Sequence, residues 1–430
     1  MTEEAQGLAA RRAAAHAVIF VLSRRGRLEF GLDEARGFNS MAPRDRAFAR
    51  AIAATALRRI GQIDAALEPF LNRKPPPEVM SILRCAVAEM LFLGAPPHAS
   101  VSSAVALVGA DRHTASMKGL ANAVLRRVAE QGPDAVADIP ADENLPGWLR
   151  DSWIKAYGPA TTRALAEAHM GEPPLDLTAK ADPEAVAALT EGIVLSTGTV
   201  RLKGGGRIED IPGFAAGAWW VQDAASAVPA RLLDVRPGES VFDLCAAPGG
   251  KALQLAAAGG KVTAVDASPQ RLQRVRQNLD RIGLSAEIVA ADVLAWGPPA
   301  QADAVLLDAP CSATGTLRRS PDAAWLRGPG DVTALAALQA KLLDRAAELV
   351  RPGGRLVYCV CSLQPEEGEA QIASFLQRRS DFSIAPVAAG ELPGLAEAIR
   401  GDGDVRILPC FWAASGGIDG FYAARMVKAD

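Results

Sequence analysis

Six polar or reactive side chains in the second half of this 430-residue chain have types and spacing suited to chemistry: Lys251, Asp266, Asp292, Asp308, Cys311 and Cys361. All but Lys251 stand at the carboxyl end of a short apolar run that reads as a strand: 262–265, 287–290, 304–307 and 355–358. Five such residues at strand ends are hard to attribute to packing, because ligands in a doubly wound α/β domain bind beyond those ends. A fifth run, 241–244, leads into Cys245-Ala246-Ala247-Pro248-Gly249-Gly250-Lys251, which reads as a tight turn opening a helix. Gly249 and Gly250 carry no Cβ, so a ligand can lie against the backbone there.

Asp266 follows Asp243 by 23 residues, at the end of the second strand. An acid in that place hydrogen-bonds the ribose hydroxyls of an adenosine cofactor. The turn lacks the G-x-G-x-x-G that cradles a pyrophosphate, which favours S-adenosylmethionine over NAD. Asp292 then suits the adenine amino group. The plain alternative for each Asp is a helix N-cap. A cysteine thiolate is a strong nucleophile. Beside a methyl donor it permits one specific reaction: addition to carbon 6 of cytosine makes carbon 5 nucleophilic, and loss of the carbon-5 proton later expels the thiolate. The plain alternative for Cys311 and Cys361 is a buried structural thiol.

Composition narrows the classes. Hydrophobic residues make up 49% and charged residues 22% of the chain, which fits globular domains rather than disorder. No apolar run reaches 18 residues, so no membrane span is expected. The acidic start Met-Thr-Glu-Glu-Ala is unlike a signal peptide, and a cytoplasmic protein is expected. All four histidines (His16, His98, His113 and His169) precede the α/β half, which disfavours a Ser-His-Asp hydrolase. The six cysteines include no C-x-x-C pair, so neither a disulfide framework nor a metal site is expected. Residues 1–140 hold 18 Lys and Arg against 14 Asp and Glu, whereas the remainder holds 28 against 35. A mildly basic front on an acidic body is compatible with nucleic-acid binding, although solvated helix faces would count the same.

The elements that must position the site follow from periodicity. Residues 1–135 read as all helix, with apolar residues spaced three and four apart and breakers at Gly26, Pro43, Pro75-Pro76-Pro77 and Pro96-Pro97. Arginines at 11–12, 24–25, 44, 46, 58–59 and 126–127 decorate the expected exposed faces, as solubility charges or as an RNA-backbone footprint. Residues 136–147 read as a linker. Residues 148–215 read as a small α+β subdomain with a helix over 148–170. Residues 216–430 alternate strand and helix, which implies a mostly parallel sheet covered on both faces.

Particular wording carries a resemblance. Pro43-Arg-Asp-Arg-Ala-Phe48, Leu83-Arg-Cys-Ala-Val-Ala-Glu-Met-Leu-Phe92, Pro96-Pro-His-Ala-Ser-Val101 and Lys118-Gly-Leu-Ala-Asn-Ala-Val-Leu-Arg126 resemble the NusB-like helical RNA-binding domain. Asp243-Leu-Cys-Ala-Ala-Pro-Gly-Gly-Lys251, Asp308-Ala-Pro-Cys-Ser312, Arg318-Arg-Ser-Pro-Asp322, Tyr358-Cys-Val-Cys-Ser362 and Asp419-Gly-Phe-Tyr422 resemble the NOL1/NOP2/Sun family of RNA cytosine-5 methyltransferases. The front and the five motifs together cover nearly the whole chain.

The resemblance implies an α/β fold: a Rossmann-like S-adenosylmethionine-dependent methyltransferase domain, preceded by an all-α NusB-like domain and a small α+β subdomain. It implies 16S ribosomal RNA as substrate and partner; a monomer is expected. It implies that Cys245, Ala246, Ala247, Pro248, Gly249, Gly250 and Lys251 form the S-adenosylmethionine loop, with Asp266 at the ribose, Asp292 by the adenine and Asp308 near cofactor and base. Cys361 takes the place of the nucleophile and Cys311 that of the residue assisting product release, with Lys251 and Asp308 completing the catalytic shell. The alternatives are a DNA cytosine-5 methyltransferase attacking through Cys311, and a non-catalytic RNA-binding module. The chain departs from the family pattern at Val360, where Thr is usual, at Cys359, which adds a third thiol on the same face as Cys361, and at Cys410, where His is common.

Overall fold

The computed structural model describes residues 3–204 and 206–430. These divide into two compact units, Met1–Gly171 with Leu317–Gly328, and Glu172–Thr316 with Pro329–Asp430.

The first unit is helical: α1 (Glu3–Arg24), α2 (Leu28–Glu34), α3 (Pro43–Arg58), α4 (Ile60–Leu67), α5 (Pro77–Phe92), α6 (Pro97–Ala110), α7 (Lys118–Gln131) and α8 (Gly147–Met170). Pro43, Pro77 and Pro97 open three of them, where the missing N–H costs nothing. In α7, Ala121, Val124, Leu125 and Val128 repeat at three and four and face one core with α1, α3 and α5. Two carboxylates meet arginines beneath this surface. Arg84 donates to both oxygens of Asp64 at 2.7 and 2.6 Å, and Arg11 pairs with Glu89 at 2.6 Å. Arg12, Arg24, Arg25, Arg44, Arg126 and Arg127 are exposed, as the periodicity implies. Arg11, Arg46, Arg58 and Arg59 are not: all four are half-buried, and Arg11, Arg58 and Arg59 are bonded within the unit.

Two sequence expectations are corrected here. Residues 136–147 are not a free linker, because Gln62 of α4 fixes them: its N–H donates to Asn144 and its amide donates to the Ile139 carbonyl. The helix expected in the α+β subdomain, α8, belongs to the helical unit and is broken at Gly158-Pro159, where Gly158 has φ +81° and Pro159 cannot continue the hydrogen-bond ladder.

The second unit holds two sheets. The small one has the order β2 (Ile193–Val194), β3 (Val200–Leu202), β1 (Leu175–Ala179) and β4 (Trp219–Val221), all antiparallel, with α9 (Pro183–Thr190). The large one places β5 (Ser240–Leu244) between β6 (Lys261–Asp266) and β8 (Ala302–Asp308), with β7 (Glu287–Ala290) and β9 (Val350–Val360) outside them, all parallel. Strand β12 (Phe421–Lys428) joins β9 antiparallel and carries β10 (Phe382–Ile384) and β11 (Val405–Ile407). Helices α10 (Ala224–Leu232), α11 (Gly250–Ala257) and α12 (Pro269–Ile282) precede a short α13 (Ala323–Leu326), then α14 (Pro329–Leu349) and α15 (Glu369–Arg378). Separate apolar clusters line the two faces of the large sheet. The chain order reverses between β5 and β8, so the crevice beyond their carboxyl ends is the expected ligand site.

The segment Leu317–Gly328, expected within the α/β domain, is instead part of the helical unit. Asp322 accepts a hydrogen bond from the Leu28 N–H at the start of α2, at 3.0 Å. Arg58 donates to the Arg318 carbonyl at 2.9 Å, and Trp325 packs on the helical core. Among the described residues no helix is long and apolar enough to cross a membrane, and no group of three His, Cys, Asp or Glu could hold a metal.

His169, near the end of α8, is buried beside Trp153, with ring centroids 5.7 Å apart, and neither ring nitrogen has a partner. Burial first, then the charges of Arg318 and Arg58, pull its pKa down to about 3. Folded His169 is therefore neutral while the unfolded chain takes up a proton near pH 6.5, so stability falls as pH drops below 6.5. Urea unfolding of the intact chain, followed by tryptophan fluorescence at pH 7 and pH 5, will show a loss of up to about 1.4 kcal/mol per pH unit from this group. His169→Phe will lack that part of the slope.

Candidate active site

The site starts where β5 ends. Cys245 takes a left-handed backbone, φ +61°, and turns the chain out of the sheet; the Ala247–Pro248 peptide is cis. Gly249 has φ +106°, a backbone that favours glycine, and a Cβ there would also come within 3.2 Å of Val275 on α12, a tight contact. Within the loop, the Ala246 N–H donates to the Val265 carbonyl and the Gly249 N–H to Ala246. Two of the loop's N–H groups are thus occupied by the loop and β6 rather than aimed at an anion.

Helix α11 then carries Lys251 inward. Its ammonium donates to Asp308 at the end of β8 at 2.8 Å and lies 5.0 Å from the centre of the Phe421 ring. Burial is the largest single effect on Lys251 and lowers its pKa, but the surrounding negative groups, Asp308 first, together outweigh it and hold the ammonium charged above its ordinary range. Phe421 belongs to the Asp419-Gly-Phe-Tyr422 motif, which thereby acquires a place in the site. Gly420 of that motif lies so close to Gly315 that a Cβ on Gly315 would fall 2.1 Å from the Gly420 carbonyl oxygen. The Gly315 N–H in turn donates to the Cys361 carbonyl at 3.0 Å.

The remaining acids differ sharply. Asp266 is buried and accepts the N–H groups of Ala247 at 3.1 Å and Ser268 at 2.9 Å, so it holds the loop as well as facing the crevice. Asp292 is exposed and accepts from the Leu294 N–H at 3.0 Å within a short turn; no helix follows it before β8, so it is not a helix N-cap. Asp243, one turn of sheet below the loop, has no accessible surface and neither carboxylate oxygen has a partner. Burial, then the negative charge of Asp308, push its pKa up to about 8.

The three sulfurs near the end of β9 are sorted by burial. Cys311 Sγ and Cys361 Sγ lie 3.5 Å apart, and both residues are partly accessible. The hydrogen bond shared with Cys361, then burial and the charges of Cys361 and Glu367, raise the Cys311 pKa well above the ordinary thiol range. Cys359 has no accessible surface, and its thiol lies 3.6 Å from Asp308; burial and that carboxylate push its pKa up as well. Cys245 is likewise pushed up to about 12, by burial and the surrounding acids. Val360 is fully buried in the apolar cluster that holds Tyr358 and Tyr422 and against which Cys311 packs. Cys410 is half-buried and lies outside this cluster of groups.

Sequence reasoning missed Glu367 and Arg406. Glu367 is fully buried and accepts hydrogen bonds from Ser312 and Ser362, the residues that follow the two cysteines. Arg406 is buried on β11, donates to the Ser362 carbonyl and pairs with both oxygens of Glu369. The acid-rich stretch Pro365-Glu-Glu-Gly-Glu369 was the available signal, but nothing in its spacing tells a buried acid from a solvated one.

An adenosine-type ligand bearing positive charge fits these residues. Asp266, 3.5 Å from the exposed Arg271 guanidinium, and Asp308, paired with Lys251, edge the crevice, and the N–H groups of Ala246, Ala247 and Gly249 are bonded within the protein rather than aimed at a pyrophosphate. The buried Asp243 is protonated at neutral pH. Since the unfolded chain ionises it near pH 3.8 and the folded chain only near 8, folding loses stability as pH rises across that window. Thermal denaturation of Asp243→Asn beside wild type will show the variant gaining on wild type between pH 5 and pH 9, by at most about 5 kcal/mol. A gap that does not change with pH would mean that Asp243 is ionised in the folded chain.

Comparison with known proteins agrees with this geometry. Residues 230–427 match the family described as 16S rRNA methyltransferase RsmB/F, and residues 9–130 match the NusB family. The ribosomal RNA small subunit methyltransferase B of Xanthomonas campestris is 36% identical over 451 aligned residues, covering 99% of this chain and 98% of that one. Its counterpart in Thermus thermophilus is 37% identical over 422, covering 97% and 98%. The crystal structure of PH0851 superposes with a TM-score of 0.75 at 25% identity, covering 98% of this chain and 99% of that one. With a third of its residues shared along its whole length, the chain belongs to the ribosomal RNA small subunit methyltransferase B family and is an RNA methyltransferase.

Proposed function

We propose that the chain methylates carbon 5 of a cytosine in 16S ribosomal RNA through a covalent adduct between Cys361 and carbon 6. The observation that carries this reading is the pair of partly accessible sulfurs 3.5 Å apart, beside the Lys251–Asp308 pair, at the switch point of the sheet. The methyl donor is S-adenosylmethionine, which when bound supplies an electrophilic methyl group. Cys245 to Lys251 hold it with Asp266 and Asp292.

Cys361 attacks carbon 6 as the thiolate, and the Cys311 thiol lies within reach to donate a hydrogen bond to it. Asp308 faces the base and keeps Lys251 in place. After transfer, loss of the carbon-5 proton returns the electron pair and expels the Cys361 thiolate; Cys311 assists this release. Cys359 does not compete as nucleophile because it has no accessible surface. The target nucleotide is single-stranded or extruded, since a stacked base shields carbon 6. The chain acts as a monomer, in the cytoplasm where ribosomal RNA is found.

Purified protein incubated with unmodified 16S RNA and methyl-labelled S-adenosylmethionine tests the assignment. Wild type will label the RNA at cytosine carbon 5. Cys361→Ala will not label it, and Cys311→Ala will accumulate protein covalently joined to RNA on a denaturing gel. Labelled DNA in place of RNA, or full activity in Cys361→Ala, would remove Cys361 from the nucleophile's role.

A further inference from the structure

The two cysteines come from different loops, one after β8 and one after β9, and their close approach needs a cause. The sulfurs themselves supply little, because a thiol is a weak donor and a weak acceptor. The residues one step along the chain supply more. Ser312 follows Cys311 and Ser362 follows Cys361, and a single carboxylate lies between them. Glu367 Oε1 accepts the Ser312 N–H at 2.9 Å, and Oε2 accepts both hydroxyls, Ser312 and Ser362, at 2.5 Å each. The two hydroxyl oxygens are 3.0 Å apart.

A third element closes the arrangement. The Gln339 amide on α14 donates to Glu367 Oε1 at 3.0 Å and to the carbonyl of Pro310, the residue before Cys311, at 2.9 Å. The Tyr358 hydroxyl donates to the Glu367 main-chain carbonyl at 2.6 Å and so ties this loop back to β9. Glu367 has no accessible surface, so it cannot touch a substrate.

We propose that Glu367 is a positioning residue for both cysteines, its carboxylate setting the distance between Cys311 and Cys361 together with the Gly315 N–H bond to the Cys361 carbonyl and the Leu363 N–H bond to the Thr314 hydroxyl. Charge-assisted hydrogen bonds are short and roughly twice as strong as neutral ones. Four donors on one buried carboxylate therefore define the separation of the loops far better than the sulfur contact does. The charge has a second effect in the same direction. It adds to the forces that keep Cys311 in the thiol form, the form that can donate a hydrogen bond to a neighbouring thiolate. The inference rests on the cysteine roles proposed above for its catalytic meaning, but not for its geometry.

The test separates the two. Phenylarsine oxide bridges two thiols only when they are held together, and needs neither RNA nor cofactor. In the full chain it will bridge Cys311 and Cys361, as read by peptide mapping. Glu367→Gln puts an NH2 where one hydroxyl must be accepted and removes the charge, and will slow bridging and kcat by about 10- to 100-fold. The KM for S-adenosylmethionine will stay unchanged, because Glu367 has no contact with the cofactor loop. Ser362→Ala, which cuts one arm without leaving a buried carboxylate bare of donors, will show a smaller loss of the same kind and serves if Glu367→Gln does not fold. Wild-type bridging and wild-type kcat in either folded variant overturn the proposal. Slowed bridging with unchanged kcat would keep the geometric link and remove its role in catalysis. Continued methylation by Cys361→Ala would remove the cysteine roles and leave the bridging result standing.

Discussion

The site depends on the parallel alignment of β5, β8 and β9. In that register Asp243 pairs with Leu306, and Asp308 pairs with Cys359, so three chain segments reach their carboxyl ends at nearly the same height. Everything reactive then follows from which residue comes next: the glycine turn after β5, the Pro310-Cys311 loop after β8, and Cys361-Ser362 after β9. A one-residue slip would turn each of these side chains to the opposite face. The antiparallel β12 secures the arrangement from the far side, since it pairs along β9 from Arg355 to Val360 and delivers Phe421 to the Lys251 ammonium.

Gathering acids at one crevice creates an electrostatic problem, and the chain answers it in three different ways. Asp308 is paired with an ammonium, Asp266 is tied to two backbone N–H groups, and Asp243 stays protonated. Were all three ionised, with only Lys251 and the exposed Arg271, 3.5 Å from Asp266, to offset them, repulsion in a low-dielectric setting would cost several kcal/mol. Glu367 is a fourth solution, a buried carboxylate satisfied by hydroxyls, an amide and one N–H. Each device ties a charge to a specific piece of backbone, so the electrostatics and the positions of the loops are one problem rather than two.

Much of this was legible beforehand. The strand at 287–290 matches the apolar run to the residue, and the other parallel strands match to within five residues at either end, because apolar runs bounded by Gly, Pro and Asp have few alternatives. The cofactor loop and the strand-end residues came with them. The C-terminal strands β10 and β11 escaped because three residues are too short to show a period. The break in α8 was written in Gly158-Pro159 but was hidden by an apolar pattern that resumes beyond it. The ownership of Leu317–Gly328 was not legible at all: Arg318-Arg-Ser-Pro-Asp322 sits among catalytic motifs in the sequence, and the bonds from Leu28 to Asp322 and from Arg58 to the Arg318 carbonyl, with the packing of Trp325, show which core it serves.

The choice of nucleophile illustrates why spacing alone falls short. Cys359 and Cys361 share one face of one strand, and a period-two argument cannot separate them. Burial does. The strand continues under the sheet's covering helices at Cys359 and leaves the ladder at Cys361, so one sulfur is sealed beside Asp308 while the other is partly accessible and meets Cys311. Thiol reactivity follows thiolate character together with access, and Cys359 has neither, since burial and a carboxylate both oppose its ionisation. An additional thiol can therefore sit two residues from the working one without competing with it. The Val360 between them lies on the other face of the strand, fully buried in the apolar cluster against which Cys311 packs.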